Sequence, residues 1–316
     1  MLRRVDLPVL IAFGCIVVLI LIGSLFFPQV LTVRYLLQQL QIAAFLGVIA
    51  SGTMFVILLG HIDLSIPWTL TAAAIVSTAL ASLSGEGPLA PLAVPAGLAV
   101  GILIGLANGI GVAYLRVPSM IWTLGMNALI LGVSVLYTGG FNPQGTASPL
   151  MRFFSIGRSA MGIPNALYVW IAVAVIALFI LHRTPLGRYI YAIGNRETAT
   201  YLSGVRTRRV LVFCFAWAGA CSALAGILLA GYADQAYQAM GDPYLLPTIA
   251  AIVLGGTHIL GGRGSYLGTV AGVILLTLLA SMLSIMQIDE AGKLIIYGGV
   301  IITVLLVYGR TARIQE

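Results

Sequence analysis

From Leu7 to Phe27 the chain passes through about 20 residues without a charge, the length an α-helix needs to cross a hydrocarbon core of about 30 Å. Lipid offers backbone N–H and C=O groups no partner, so such a run is committed to helix. Comparable runs recur at 38–60, 64–83, 89–113, 118–138, 166–182, 210–232, 244–260, 266–286 and 293–309. They predict an all-α polytopic membrane protein of about ten transmembrane helices, some of them broken, in a single transmembrane domain over residues 1–316. An even number of spans puts both termini on one side. A cleaved signal peptide is the competing reading of the first run, but the stretch is too long for a typical h-region and no clear A-x-A site follows. It is read as the first span.

Composition agrees. With 60% hydrophobic and 8% charged residues and a mean hydropathy of +1.07, too little polar surface exists to cover a soluble globule. The pI of 9.5 does not point to nucleic acid, because the arginines lie between apolar runs and form no basic stripe interleaved with aromatics. Their distribution is topological. Alternating the gaps from side to side puts Arg3, Arg4, Arg116, Arg183, Arg188, Arg196, Arg206, Arg208, Arg209, Arg263, Arg310 and Arg313 inside, against Arg34, Arg152, Arg158 and Lys293 outside. That bias predicts both termini in the cytoplasm. Glu86, Asp234, Asp242, Asp289 and Glu290 then fall outside. Cys15, Cys214 and Cys221 sit within apolar runs and read as small core residues with no redox or metal role.

No enzyme is legible. His61, His182 and His258 lack metal-ligand spacing, and no nucleophile, base and orienting acid assemble. The sole lysine, Lys293, is followed by Leu294, so the chain has no phosphate-binding loop, which needs Lys followed by Ser or Thr after its glycines. No cofactor is expected in this chain, and ATP hydrolysis would have to come from a partner.

Three stretches depart from plain apolar helix. Residues 187–205, GRYIYAIGNRETATYLSGV, are amphipathic and polar, sit among Arg183, Arg188, Arg196, Arg206, Arg208 and Arg209, and are punctuated by Gly187, Gly194 and Gly204. An ordinary positive-inside anchor needs only Arg near helix ends; the length and glycines here suggest a short helix outside the bilayer, gripped by a cytoplasmic protein. Residues 60–70, GHIDLSIPWTL, place Asp63 near membrane depth, where a carboxylate at a helix centre costs about 2.5–3.5 kcal/mol. They read as a helix break, with Ser65 capping the next helix through its hydroxyl and Pro67 in its first turn. Asp63 and Ser65 either stabilise that break or line a path or gate. Residues 249–276 carry Gly255, Gly256, Gly261, Gly262, Gly264, Gly268 and Gly272. Such a run breaks a helix only where it is buried or lines a cavity, and Gly264, Gly268 and Gly272 give the following helix a flat face.

These stretches resemble, in order, the permease subunits of ribose-type sugar importers of the ATP-binding-cassette superfamily, related to branched-chain amino acid permeases. The family's G-G-x-D-L-S-V-G is matched by Gly60, Asp63, Leu64 and Ser65. Its A-I-G-G-N-x-x-A-A-x-L-S-G-I is matched by Ala192, Ile193, Gly194, Ala199, Leu202, Ser203 and Gly204, with Arg196 at the family's Asn, Asn195 one place early and Thr200 at its second Ala. Its G-G-T-x-x-x-G-G-x-G-S-x-x-G-T is met throughout by Gly255, Gly256, Thr257, Gly261, Gly262, Gly264, Ser265, Gly268 and Thr269. The resemblance implies a type II importer permease of the bacterial inner membrane that moves a monosaccharide such as ribose, or a related sugar, by alternating access. It further implies a cytoplasmic coupling loop at about 183–209, in which Gly187, Arg188, Gly194, Asn195, Arg196, Glu197, Ala199, Leu202, Ser203 and Gly204 meet a separate ATPase. Implied partners are cytoplasmic ATPase subunits, a periplasmic substrate-binding protein, a second permease subunit (identical or related) and membrane lipid. An ion-coupled secondary transporter is the alternative, since broken helices with an intramembrane Asp suit ion coupling.

Polar groups elsewhere are few. Asn108 and Asn127 either meet sugar hydroxyls on the path or bond neighbouring helices. The segment 139–165, rich in Gly, Pro and Ser, is expected outside, where it is either a linker or faces the binding protein, with Arg152 or Arg158 pairing its carboxylates. Tyr232, Tyr237 and Tyr244 read first as membrane-interface residues.

Overall fold

The computed structural model describes residues 7–84, 90–143, 145–299 and 302. Two long helices, α2 (Val33–Leu58) and α9 (Thr207–Ala233), run antiparallel through the middle of the bundle. At 26 and 27 residues each is about 40 Å long at 1.5 Å per residue, more than a bilayer core. From Ala43 to Leu58 every α2 residue is buried. Small residues make this possible: a Cβ on Gly52 would meet Ala218 and Cys221 of α9, and Trp217 Nε1 donates to the Ser51 carbonyl at 3.3 Å. Close approach of small side chains is how helices associate where lipid removes the hydrophobic drive.

Around this pair stand α1 (Leu7–Phe26), α3 (Ile66–Ser84), α4 (Ala93–Ala113), α5 (Ser119–Thr138), α7 (Asn165–Arg183) and α11 (Tyr266–Ile285), with the short helices α6 (Pro149–Ser155), α8 (Pro185–Leu202) and α10 (Leu245–Leu254) at their ends or between them. A further helical segment covers 290–299. No β-strand forms among the described residues, which hold only two isolated bridges. Eight helices are long and apolar enough to cross a membrane. The chain is therefore a multi-pass membrane protein, and the large apolar side chains exposed on α1, α5 and α7, such as Leu21, Leu136 and Phe179, are surfaces for lipid or another membrane-embedded chain rather than water.

The expected count of ten is approximate, for two reasons. The run 244–260 is helical only over Leu245–Leu254; beyond it the backbone turns through Gly256, Gly261 and Gly262, all at positive φ. The tenth run, 293–309, lies mostly outside the described residues, as do Arg3, Arg4, Glu86, Arg310 and Arg313. Boundaries shift too: α2 begins at Val33, where Thr32 accepts from Tyr35 N–H, extending the apolar run by a turn.

A glycine stripe in α4 was not singled out from sequence. Gly101, Gly105 and Gly109, four apart, each present a bare Cα to α9, where a Cβ would meet the Gly219 carbonyl, the Phe215 carbonyl and the Val212 Cα respectively. Four-residue spacing was the available signal.

The segment 139–165 is more than a linker. Ser148 caps α6, accepting from Met151 N–H at 3.3 Å, and α6 is tied inward by Gln41 Nε2 donating to the Ser155 carbonyl at 2.7 Å. Arg152 pairs within the chain, with Asp234 at 3.4 Å, both side chains about half exposed, and Arg158 Nη1 donates to the Gly162 carbonyl at 3.4 Å. Both arginines expected to face a partner's carboxylates thus have an exposed contact within the chain.

Candidate functional site

The three unusual stretches, far apart in sequence, meet at one end of the bundle. α2 stops at Leu58 and the chain turns at Gly60, whose φ of 82° is the left-handed region open to glycine. Gly262 N–H donates to the Leu58 carbonyl at 2.9 Å, tying the glycine-rich loop to the end of α2. On the other side of that carbonyl sits Gly194 of α8: a Cβ there would meet the Leu58 carbonyl and, at 2.5 Å, the Gly262 nitrogen. Tyr191 adds a third tie, its hydroxyl donating to the Gly264 carbonyl at 3.1 Å. Gly60, Gly194 and Gly262 thus allow backbone to pack on backbone where side chains would hold the segments apart.

α8 itself is two helical pieces. Thr184 caps its start, accepting from Gly187 N–H at 3.4 Å, and Gly187 packs on the carbonyls of Ile180 and Leu181 at the end of α7. Arg196 is extended, with φ −161° and ψ 98°, so a separate short turn runs over 197–202. Gly204 at φ 86° ends it. Ile190, Ile193 and Thr200 face the bundle, whereas Arg188, Asn195, Arg196, Glu197, Ala199, Leu202, Ser203 and Gly204 are exposed. Glu197 nevertheless has a partner, accepting from Thr207 Oγ1 at the start of α9 at 3.3 Å.

Behind the junction lies a buried polar chain. Asp63, 3% exposed, accepts at Oδ1 from both the Ser65 N–H (2.9 Å) and the Ser65 hydroxyl (2.7 Å). Asn108 Nδ2 of α4 in turn donates to the Ser65 oxygen at 2.7 Å. The Ser65 hydroxyl therefore does not cap α3 as expected; its proton goes to the carboxylate, and only its carbonyl opens the helix by accepting from Thr69 N–H at 2.9 Å. Such bonds contribute about 1 kcal/mol each net, offsetting part of what burying a polar group costs. The first turn of α5, which the sequence did not flag, completes the cradle: Ser119 Oγ accepts from Ile62 N–H at 3.3 Å and Thr123 Oγ1 from Leu64 N–H at 2.9 Å. His61 contacts Ser119 Oγ through Nδ1 at 3.3 Å and leans on the Phe215 ring of α9.

Of the remaining candidates, Asn127 is not in this cluster; its Oδ1 is buried without a hydrogen-bond partner among the described residues, as is Asn108 Oδ1. Gly255, Gly268 and Gly272 bring α10 onto α11: a Cβ on Gly268 would meet the Gly255 carbonyl, and one on Gly272 the Ala251 carbonyl. Thr269 Oγ1 donates to Met54 Sδ at 3.2 Å, Thr257 packs against Gly264, Gly256 supplies a turn, and Ser265 stands at the N-cap of α11 without a side-chain cap bond. Among the described residues no group of three His, Cys, Asp or Glu is placed to hold a metal. The segment 139–165 lies at the opposite end, where Gly145 packs on Thr78 and Arg152 on Asp234.

Residues 35–305 match the family model described as branched-chain amino acid transport system/permease component. The ribose import permease protein RbsC of Escherichia coli (strain K12) is 36% identical over 92% of this chain and 91% of its own length. The protein of that name in Bacillus subtilis (strain 168) is 35% identical over 92% and 89%. The autoinducer 2 import system permease protein LsrC of Escherichia coli (strain K12 / DH10B) is 32% identical over 93% and 85%. No solved structure gives a significant match.

Proposed function

Because the chain belongs to the family of branched-chain amino acid transport system permease components, a permease subunit of a binding-cassette importer, we propose that it carries a sugar of the ribose class into the cytoplasm, driven by ATPase subunits that dock on α8. The relatives named for ribose support the substrate class; the relative named for autoinducer 2 import is similar over as much of the chain. A neutral sugar offers hydroxyls and a weakly apolar ring face, and needs scattered polar groups rather than a ring of charge. The family does not favour the ion-coupled alternative.

The observation that carries the mechanism is the contact of α8 with Leu58 and Gly262. A push on the exposed face of α8 reaches backbone directly, with no flexible side chain between. From Leu58 the displacement passes through the 60–65 turn to Asp63 and Ser65, then to Asn108 of α4 and to Ser119 and Thr123 of α5. Packed elements of this kind switch between discrete arrangements rather than deforming continuously, which suits alternating access. In this reading the α8 end is cytoplasmic, both termini lie on that side, and the 139–165 end meets a substrate-binding protein. A second permease subunit, identical or related, closes the path against an exposed helix face.

Tryptophan at exposed small positions of α8 tests the docking. Ala199→Trp and Gly204→Trp are expected to lower ATPase co-purification and sugar uptake while the protein still inserts at normal levels, with Gly204→Ala separating backbone strain at positive φ from steric exclusion. Normal assembly and transport in both Trp variants would show that α8 is only a topological anchor.

A further inference from the structure

Between the first half of α8 and the start of α9 lies a groove of about 460 Å³, lined by Leu186, Tyr189, Ser203, Arg206, Arg209 and Phe213 among others, within the range of about 300–1,000 Å³ typical of small-molecule sites. Arg206 and Arg209 stand three residues apart at the N-terminal turn of α9, close enough to repel. Neither has an ion-pair partner among the described residues, and no carboxylate lines the groove. Arg208 between them is engaged elsewhere, over the Tyr114 ring at 5.4 Å. Phe213, one turn deeper along α9, and Leu186 supply an apolar wall, while Ser203 and Tyr189 supply hydroxyls at the rim.

We propose that this groove binds an anionic phospholipid, with the phosphate held between Arg206 and Arg209 and an acyl chain laid along Phe213. The charge complementarity selects an anion. The apolar wall selects a lipid: from the arginines it runs through Val210 to Phe213 on α9, a helix long and apolar enough to cross a membrane, so an acyl chain finds apolar surface directly beside the charge. Basic pockets between helix ends at the membrane surface take lipid headgroups for this reason. Because Ser203 belongs to the exposed end of α8, a lipid seated here braces α8 against α9.

Native mass spectrometry of the full-length protein, titrated with phosphatidylglycerol, phosphatidylcholine or inorganic phosphate, tests the site. One tightly held phosphatidylglycerol per chain is expected, at least tenfold weaker in an Arg206→Gln/Arg209→Gln double variant and unchanged in the charge-matched Arg183→Gln/Arg188→Gln control. Phosphatidylcholine and free phosphate should bind weakly or not at all. Equal loss in both double variants would reduce the effect to general surface charge and overturn the proposal. Phosphatidylcholine held as tightly as phosphatidylglycerol would overturn it as well, by removing the anion from the recognition.

Discussion

Gly194 of α8 lies against the carbonyl of Leu58 so closely that a Cβ would occupy the same space. The obstacle is backbone on both sides, Leu58 and Gly262, so no rotamer change relieves it. Overpacking of this kind costs about 1–3 kcal/mol or more, here at the contact through which α8 acts. Gly194→Val is expected to lower uptake about tenfold or more, since 1.4 kcal/mol is a factor of ten, with ATPase co-purification retained because the outer face of α8 is unchanged. Uptake at the unsubstituted level would remove the junction from the mechanism.

Asn108→Leu breaks the bond to Ser65 and leaves the buried Asp63–Ser65 pair without its tie to α4. Loss of a partner to a buried polar group costs about 1–3 kcal/mol. The expected result is ATP hydrolysis by the assembled transporter with uptake reduced about tenfold, an uncoupled phenotype, partly restored by Asn108→Gln. Parallel loss of hydrolysis, uptake and membrane level would mark Asn108 as purely structural.

Several features of this junction were legible in the sequence. Glycine runs and a lone buried carboxylate contradict the surrounding apolar pattern, so 60–65, 187–205 and 255–269 stood out as segments. What could not be read was that they touch, because a backbone contact such as Leu58–Gly194 leaves no side-chain signature beyond the absence of one. Ser65 shows the same limit: its position before Ile66 and Pro67 suits a cap, but its hydroxyl oxygen accepts from Asn108 Nδ2 of α4 rather than from a helix N–H, while its proton goes to Asp63. Ser119 and Thr123 were silent because a hydroxyl in a spanning helix ordinarily bonds its own backbone, as Thr123 also does to the Ser119 carbonyl at 2.8 Å. The eighth apolar run looked continuous because hydropathy counts Gly255 and Gly256 as neutral, whereas α10 stops at Leu254 and the chain turns at Gly256, at positive φ.

The proposed sidedness rests on the arginine count and is open to direct labelling. In a background lacking Cys15, Cys214 and Cys221, a cysteine at the exposed Thr198 and one at Met161, 82% exposed at the opposite end, are expected to react with an impermeant maleimide from opposite faces, Met161 in intact cells and Thr198 only after lysis. Reaction of both in intact cells would reverse the assignment of α8 to the cytoplasm.

The central claim is that this chain is a sugar path powered from α8 by an ATPase it does not itself contain. Proteoliposomes holding the permease and its ATPase, with ATP inside and the loaded binding protein outside, measure this directly using labelled ribose. The account predicts uptake that requires both ATP and binding protein and falls about tenfold or more with Gly194→Val; uptake driven by an ion gradient alone, without nucleotide, would contradict it.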